Sequence, residues 1–339
     1  MTRVLAGFAS VLGGVQARVS KLHLPRLRRR KSRNAFSPAL AEQMERLLLL
    51  QGRIAARSFQ AGRVIRNLSE VEFSVSSQWG EDGIVEWLVA NVDVPNKRFV
   101  EFGVENFREA NCRFLLKNRG WKGLVFDADE RNIAAITSEP GYWRHDLTAK
   151  QAFVTVANID ALIREAGFGG PLGILSIDID GNDYWIWEAI TSVQPAIVIC
   201  EFNAVLGDMR PIVVPYDSAF RRLRAHFSGQ YFGASIAALK SLARAKGYTF
   251  VGTNSNGVNA FFLKEELAAP VLELLAETTA FPARHRDSRD ESGKLTFVAG
   301  ADRYDLIREL PVVDVATGQT LLLGDMERPY SQDWLNGMS

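Results

Sequence analysis

The sequence predicts an α/β chain: a doubly wound, mostly parallel sheet that closes in a terminal antiparallel hairpin, preceded by an N-terminal helical extension. Three observations carry this. Short apolar runs, Arg98–Gly103, Gly123–Asp127, Gly173–Asp178 and Ala196–Phe202, alternate with stretches of helical spacing. Strands with so little polar alternation belong to a parallel sheet covered on both faces. Two later strands, Tyr248–Gly252 and Asn259–Leu263, pair as a hairpin across the turn-forming Asn254–Gly257. Finally, 339 residues at 47% apolar and 23% charged suffice for one large core, or a core with a smaller appendage.

Four regions follow in order. Residues 1–35 form a separate basic segment: Met1–Asn34 hold nine Lys or Arg and no acid. A solvated tail, an amphipathic element touching anionic lipid and a cleaved address all fit it. Residues 36–72 are a helical region, with Leu40, Met44, Leu47, Leu48, Ile54 and Ile65 as an apolar stripe. That stripe would pack on the main domain or mediate self-association into a homo-oligomer. Residues 73–266 carry the sheet. Helices are expected at Ile84–Ala90, Ala110–Asn118, Glu130–Thr137, Ala152–Ala166, Tyr184–Ile190 and Ile236–Lys246. Residues 267–339 are less regular and read as a C-terminal extension that caps the domain.

The net charge of +1 hides an asymmetry, because beyond residue 34 the chain has 31 Lys or Arg against 39 acids. An acidic body offers nucleic acid no basic face. No apolar run of about 18 residues is free of charge, so no transmembrane helix is expected. Cys112 and Cys200 lie in apolar surroundings without metal or redox spacing, as buried reduced thiols of a cytoplasmic protein would. The basic N-terminus would allow that protein to sit peripherally at a membrane.

In a doubly wound sheet, ligands gather at the carboxyl ends of the strands. The first strand ends Glu101-Phe102-Gly103-Val104-Glu105-Asn106, where a glycine lets the backbone approach a ligand. No GxGxxG is present, which favours a ligand without phosphates. The second strand ends on Asp127, 24 residues after Gly103, where such a site keeps an acid for ribose hydroxyls. Its rival role is a helix N-cap. Asp146, ending the next segment, would face an adenine amino group or cap a helix. Then come Asp178, Asp180 and Asp183, with Glu201 and Asn203 on the neighbouring strand end. Acids this close raise one another's pKa unless a cation relieves them, and oxygen ligands of this kind suit Mg²⁺. A hydrogen-bonded cluster that only orients loops is the alternative.

Together these residues resemble the class I S-adenosylmethionine-dependent methyltransferases, a Rossmann-like fold, and more narrowly their FkbM-like branch. Residues 73–265 are covered. Ser77-Gln78-Trp79-Gly80-Glu81-Asp82, Tyr231-Phe232-Gly233-Ala234-Ser235, Gly247-Tyr248 and Asn259-Ala260-Phe261-Phe262 belong to the likeness as well. The resemblance implies O-methylation of a sugar, glycan or natural-product hydroxyl. It implies S-adenosyl-L-methionine held by Gln78, Glu101, Gly103, Asn106, Asp127 and Asp146, with Glu81 near the mouth. Asp178, Asp180 or Glu201 would be the base, with His226 and His145 as other candidates. A metal, if used, would sit on Asp178, Asp180, Glu201 and Asn203, although Phe202 separates the last two and Glu stands where relatives have Asp. Trp79, Tyr184, Trp185 and Tyr231 could stack on a sugar face, while Trp185 and Trp187 equally suit a helix core. Two other classes remain open: an inactive binding or assembly protein on this fold, and a metal-dependent hydroxylase or hydrolase using the acid cluster.

Overall fold

The computed structural model describes residues 38–59 and 62–338, so the expectations for residues 1–35 lie outside the described residues. The chain divides inside helix α1 (Pro38–Ser58) into a unit ending at Gln43 and a larger one, Met44–Ser339, which carries the sheet. Most of the apolar stripe does not pack on the main domain. Met44, Leu47, Leu48 and Ile54 are exposed. The helix instead approaches the body through Gly52, where a Cβ would lie 2.5 Å from Val75 Cγ2. Ile65 falls beyond the helix end and is buried, its backbone bonded to Leu274 and Ala276.

Helix α2 (Glu81–Asn91) leads into β1 (Arg98–Phe102), then α3 (Arg113–Arg119), β2 (Lys122–Asp127) and α4 (Glu130–Thr137). Asp129, not Asp127, caps α4, its carboxylate accepting from the Arg131 N–H. Next are β3 (Leu147–Gln151), α5 (Ile159–Glu165), β4 (Gly170–Ile177), α6 (Asp183–Ala189) and β5 (Val193–Glu201). The helix expected from Ala152 starts only at Ile159. Thr155 and Phe153 instead bond the Asn158 side chain, which holds the approach extended. After β6 (Ile212–Val213), α7 (Arg222–Ala225) and α8 (Ile236–Ala245), the hairpin forms from β7 (Tyr248–Thr253) and β8 (Asn259–Lys264).

The seven strands run in the order β3-β2-β1-β4-β5-β8-β7. The first five are parallel, and β8 and β7 join antiparallel. The sheet is thus α/β, mostly parallel and hairpin-closed. Its winding reverses between β1 and β4, where a crevice opens at the strand ends. Side chains alternate between two cores, Val100 and Phe102 on one face, Phe99 on the other. Cys112 and Cys200 are free and buried. Among the described residues no helix is long and apolar enough to cross a membrane.

The region after β8 begins with α9 (Glu265–Leu272). A short helix, α10 (Asp302–Asp305), then precedes β9 (Pro311–Asp314) and β10 (Gln319–Leu322), which form a second sheet with β6 in the order β10-β9-β6, and α11 (Gln332–Met338) ends it. Ala283, Tyr304, Ile307, Val312, Tyr330 and Trp334 enter the same core as Phe202 and Val205. The Tyr330 hydroxyl donates to Val205 O at 2.6 Å, and Trp334 Nε1 to Ala204 O at 3.2 Å. The C-terminal cap therefore supports the loop after β5. Trp334→Ala should cost about 3–5 kcal/mol of stability, measured by chemical denaturation, because it leaves a cavity and an orphaned carbonyl. A loss below about 1 kcal/mol would mean the cap is dispensable.

Candidate functional site

At the carboxyl ends of β2, β1, β4 and β5 three cavities join end to end. The first, of about 170 Å³, is walled by Phe126, Ala152, Phe153, Val154, Ile179 and Phe220, with Asp127 at its rim. Asp127 is nearly buried. Its Oδ1 accepts from the Asp129 N–H at 2.8 Å and from Asn132 Nδ2 at 2.9 Å, so its other oxygen can still receive a ligand hydroxyl. The first and middle cavities share Gly103, Glu105, Asp178 and Asp180. Gly103 has φ +72, and a Cβ there would lie 1.6 Å from the Asp178 carbonyl oxygen. Only glycine lets the β1 and β4 loops meet this closely.

The middle cavity, about 220 Å³, is lined by seven carboxylates, Glu81, Glu101, Glu105, Glu109, Asp178, Asp180 and Glu201, against one guanidinium, Arg222. Glu101 accepts from the Asn111 N–H at 2.7 Å, the Cys112 N–H at 3.1 Å and Ser176 Oγ at 3.3 Å. Burial outweighs these bonds and pushes its pKa up to about 7. Asp178 and Glu201 are raised well above the ordinary carboxylate range, first by burial and then by the charges of Asp180 and Asp183, with Asp178 adding to the effect on Glu201. Asp183 is raised to about 6 by burial, although the N–H groups of Ile179 and Gly181 oppose this. One ligand atom each from Asp178, Asp183 and Glu201 falls within 4.8 Å of the others. Two buried acceptors in this lining, Glu201 Oε2 and Asn259 Oδ1, have no hydrogen-bond partner among the described residues. Asn259 Nδ2 donates to Glu81 Oε1 at 2.9 Å, which fixes which end of the amide is the idle acceptor. The lining is therefore built for a ligand that is cationic and donates hydrogen bonds.

The third cavity, about 230 Å³, shares Gln78, Glu201, Arg222 and Val258 with the middle one. Trp79, Phe232, His285, Asp287 and Arg303 complete its character. Trp79 and His285 rings lie 5.0 Å apart. Arg222 binds Asp180 at 3.0 Å, Asp287 at 3.2 Å and Gly229 O at 2.7 Å, and lies over the Phe232 ring.

No family model matches the chain, and no curated protein matches it. Distant structural likenesses are to S-adenosylmethionine-dependent methyltransferases. An O-methyltransferase from Bacillus cereus, in complex with S-adenosylhomocysteine, is 13% identical at a TM-score of 0.33, over 68% of this chain and 81% of that one. An S-adenosylmethionine-dependent methyltransferase from Clostridium acetobutylicum is 9% identical at 0.33, over 54% and 89%. Human N-acetylserotonin methyltransferase is 13% identical at 0.29, over 50% and 47%. The cavities, rather than these likenesses, carry the functional reading.

The crevice brings together Gln78, Glu101, Gly103, Asp127, Asp178, Asp180 and Glu201. Other expected residues stand elsewhere or are engaged in other contacts. Asp146 precedes β3, so it lies at the opposite edge of the sheet, exposed beside Lys122 at 3.4 Å. Its expected place belongs to the end of β3, where Gln151 neighbours Asp127. Asn203 holds the loop after β5, its amide donating to Gln230 O and Phe232 O and accepting from the Val205 N–H. Asp180 is exposed and committed to Arg222. Asn106 accepts from the Arg108 N–H and lines a depression beside Ser76 and Ser77 that adjoins the middle cavity through Glu105 and Glu109. His226 bonds Ser228 Oγ and lines none of the three cavities. His145 follows a short 3-10 turn before β3, at that same opposite edge. Tyr184 and Trp187 are core, Trp185 donates to Val214 O, and Tyr231 donates to Pro311 O, leaving Trp79 as the stacking candidate in the chamber. Arg222, His285 and Arg303 had no local sequence signal.

The buried acids set a pH dependence. Folded Glu101 keeps its proton up to about pH 7, whereas the unfolded chain releases it near 4.5. Its stabilising contribution is full below about pH 4.5 and is lost as pH rises through 7. Glu101→Gln should flatten this by up to about 3 kcal/mol between pH 5 and 8, read as a smaller fall in Tm than wild type shows. Parallel Tm–pH curves would mean Glu101 ionises as freely as a surface acid.

Proposed function

We propose that the protein transfers a methyl group from S-adenosylmethionine to a hydroxyl of a small sugar-like or natural-product acceptor. The carrying observation is the middle cavity, with seven carboxylates, one cation and two buried acceptors lacking donors. A ligand with an ammonium and a sulfonium supplies the missing charge and protons. The apolar cavity beside it, with Asp127 at its rim and no glycine-rich phosphate loop, suits a nucleoside without phosphates.

When bound, S-adenosylmethionine supplies an electrophilic methyl group. Asp127 would hold the ribose hydroxyls, Phe153 and Phe220 would flank the base, and Glu101 and Asn259 would meet the methionine end. Gly103 keeps the β1 and β4 loops close enough to form one floor. Glu201 lines both the middle and outer chambers, so it stands where an acceptor hydroxyl would lose its proton. Burial and neighbouring acids raise its proton affinity above that of an ordinary carboxylate, which makes it a stronger base when ionised. Trp79 would hold the acceptor's apolar face. FkbM-like relatives are the narrower family reading, supported by the Gln78–Glu81 segment lying at the join of the chambers.

A second reading has its own observation. Asp178, Asp183 and Glu201 could hold a divalent cation such as Mg²⁺, which would lower an acceptor hydroxyl's pKa. This set differs from the sequence expectation by taking Asp183 in place of Asp180 and Asn203.

Calorimetric titration with S-adenosylhomocysteine tests the main reading. Asp127→Ala should weaken binding by about 10–100-fold, the worth of hydrogen bonds to a charged group. Absence of binding to the wild type at millimolar ligand would sink the proposal. For the metal, Mg²⁺ should raise the wild-type Tm and leave Glu201→Gln unmoved. An equal response from both would dismiss that set.

A further inference from the structure

The outer chamber holds a cation for which methyl transfer has no use. Arg303, in α10, is only 2% exposed, yet it lines that chamber. Its Nη2 donates to Ala283 O at 2.7 Å and its Nε to Gly300 O at 3.2 Å. These carbonyls fix the plane of the guanidinium without neutralising it. Among the described residues Arg303 forms no ion pair, and no hydrogen bond engages Nη1. Asp287, the acid beside it in the lining, is turned to Arg222 at 3.2 Å and Gln230 Nε2 at 3.1 Å. A buried cation without an ion-pair partner is costly to keep, and burial lowers the Arg303 pKa although the charge of Asp287 opposes this. An anion arriving with a ligand would remove that cost.

Charge and size narrow the anion. The chamber's ionic lining is Arg222 and Arg303 against Glu201 and Asp287. Arg222 is already paired with Asp180 and Asp287, so Arg303 is the one guanidinium of this lining without an ion pair among the described residues. A dianionic phosphate would be over-matched and would face both acids. A carboxylate carries one charge and fits the planar guanidinium edge. The chamber, about 230 Å³, is small for a ligand site, and the Trp79 and His285 rings give it an aromatic wall.

We propose that the acceptor is a hydroxylated carboxylic acid of about monosaccharide size, a uronate-like sugar acid, whose carboxylate docks on Arg303. This rests on the methyltransferase reading for the word acceptor, but the chamber's preference is measurable without it. Glucuronate and galacturonate would be titrated calorimetrically into the full chain, with and without S-adenosylhomocysteine. Glucose, galactose and glucose 6-phosphate serve as matched ligands. Both uronates should bind at least about tenfold tighter than their neutral sugars. In Arg303→Met that preference should shrink to within about twofold, with S-adenosylhomocysteine affinity retained. If Arg303→Met fails to fold, Arg303→Lys keeps the charge without the fork and should weaken uronate binding by about tenfold. Uronates no tighter than neutral sugars, or a preference that survives in the folded variant, would overturn the proposal. Tightest binding of glucose 6-phosphate would overturn the carboxylate. A uronate preference without S-adenosylhomocysteine binding would remove the methyltransferase reading and leave an acid-binding chamber.

Discussion

Gly103 lies so close to the Asp178 carbonyl that a Cβ would come within 1.6 Å of it. This contact joins the ends of β1 and β4, the pair at which the winding of the sheet reverses. On one side the β2 and β3 ends shape a cavity with Asp127. On the other, β5 delivers Glu201. A side chain at residue 103 would push the two loops apart and divide the floor they share. Backbone geometry follows the same need: Glu105 and Asp180, flanking this contact, both take positive φ. Such strain is held where the surrounding structure over-determines it, and it collects at ligand sites.

The electrostatics follow from that junction. Strand ends that converge bring their carboxylates with them, and in this chain they are buried as they converge. Backbone N–H groups stabilise Glu101 and Asp183, yet burial still raises both. Glu201 is less well provided, with one oxygen unpartnered. The middle of the crevice thus stores a demand for positive charge, while the outer chamber stores the opposite demand at Arg303. A ligand pair that is cationic in the middle and anionic outside would satisfy both.

Much of the sheet was legible in the sequence because β1, β2, β4 and β5 are short apolar runs buried on both faces. β3 was not. Leu-Thr-Ala-Lys-Gln is an edge strand, only half buried, and its polar residues conceal it. Missing β3 displaced Asp146 by a whole strand, from the carboxyl end to the amino end. Asp127 was placed correctly at a strand end because the apolar run stops there. Asn203 showed what spacing does not reveal: its amide nitrogen is engaged by two carbonyls and its oxygen caps the turn at Val205. Arg222 and Arg303 reach the site from the short helices α7 and α10, and His285 from an irregular segment, up to about a hundred residues beyond β5. Only tertiary packing, including the core formed by Tyr330 and Trp334, puts them there.

A crystal structure with S-adenosylhomocysteine bound tests the central claim most directly. Ribose hydroxyls should lie within hydrogen-bond reach of Asp127, the base between Phe153 and Phe220, and the amino group beside Glu101 and Asn259. The thioether should face Glu201 and the outer chamber. A nucleoside bound elsewhere, or one whose ribose makes no contact with Asp127, would contradict it.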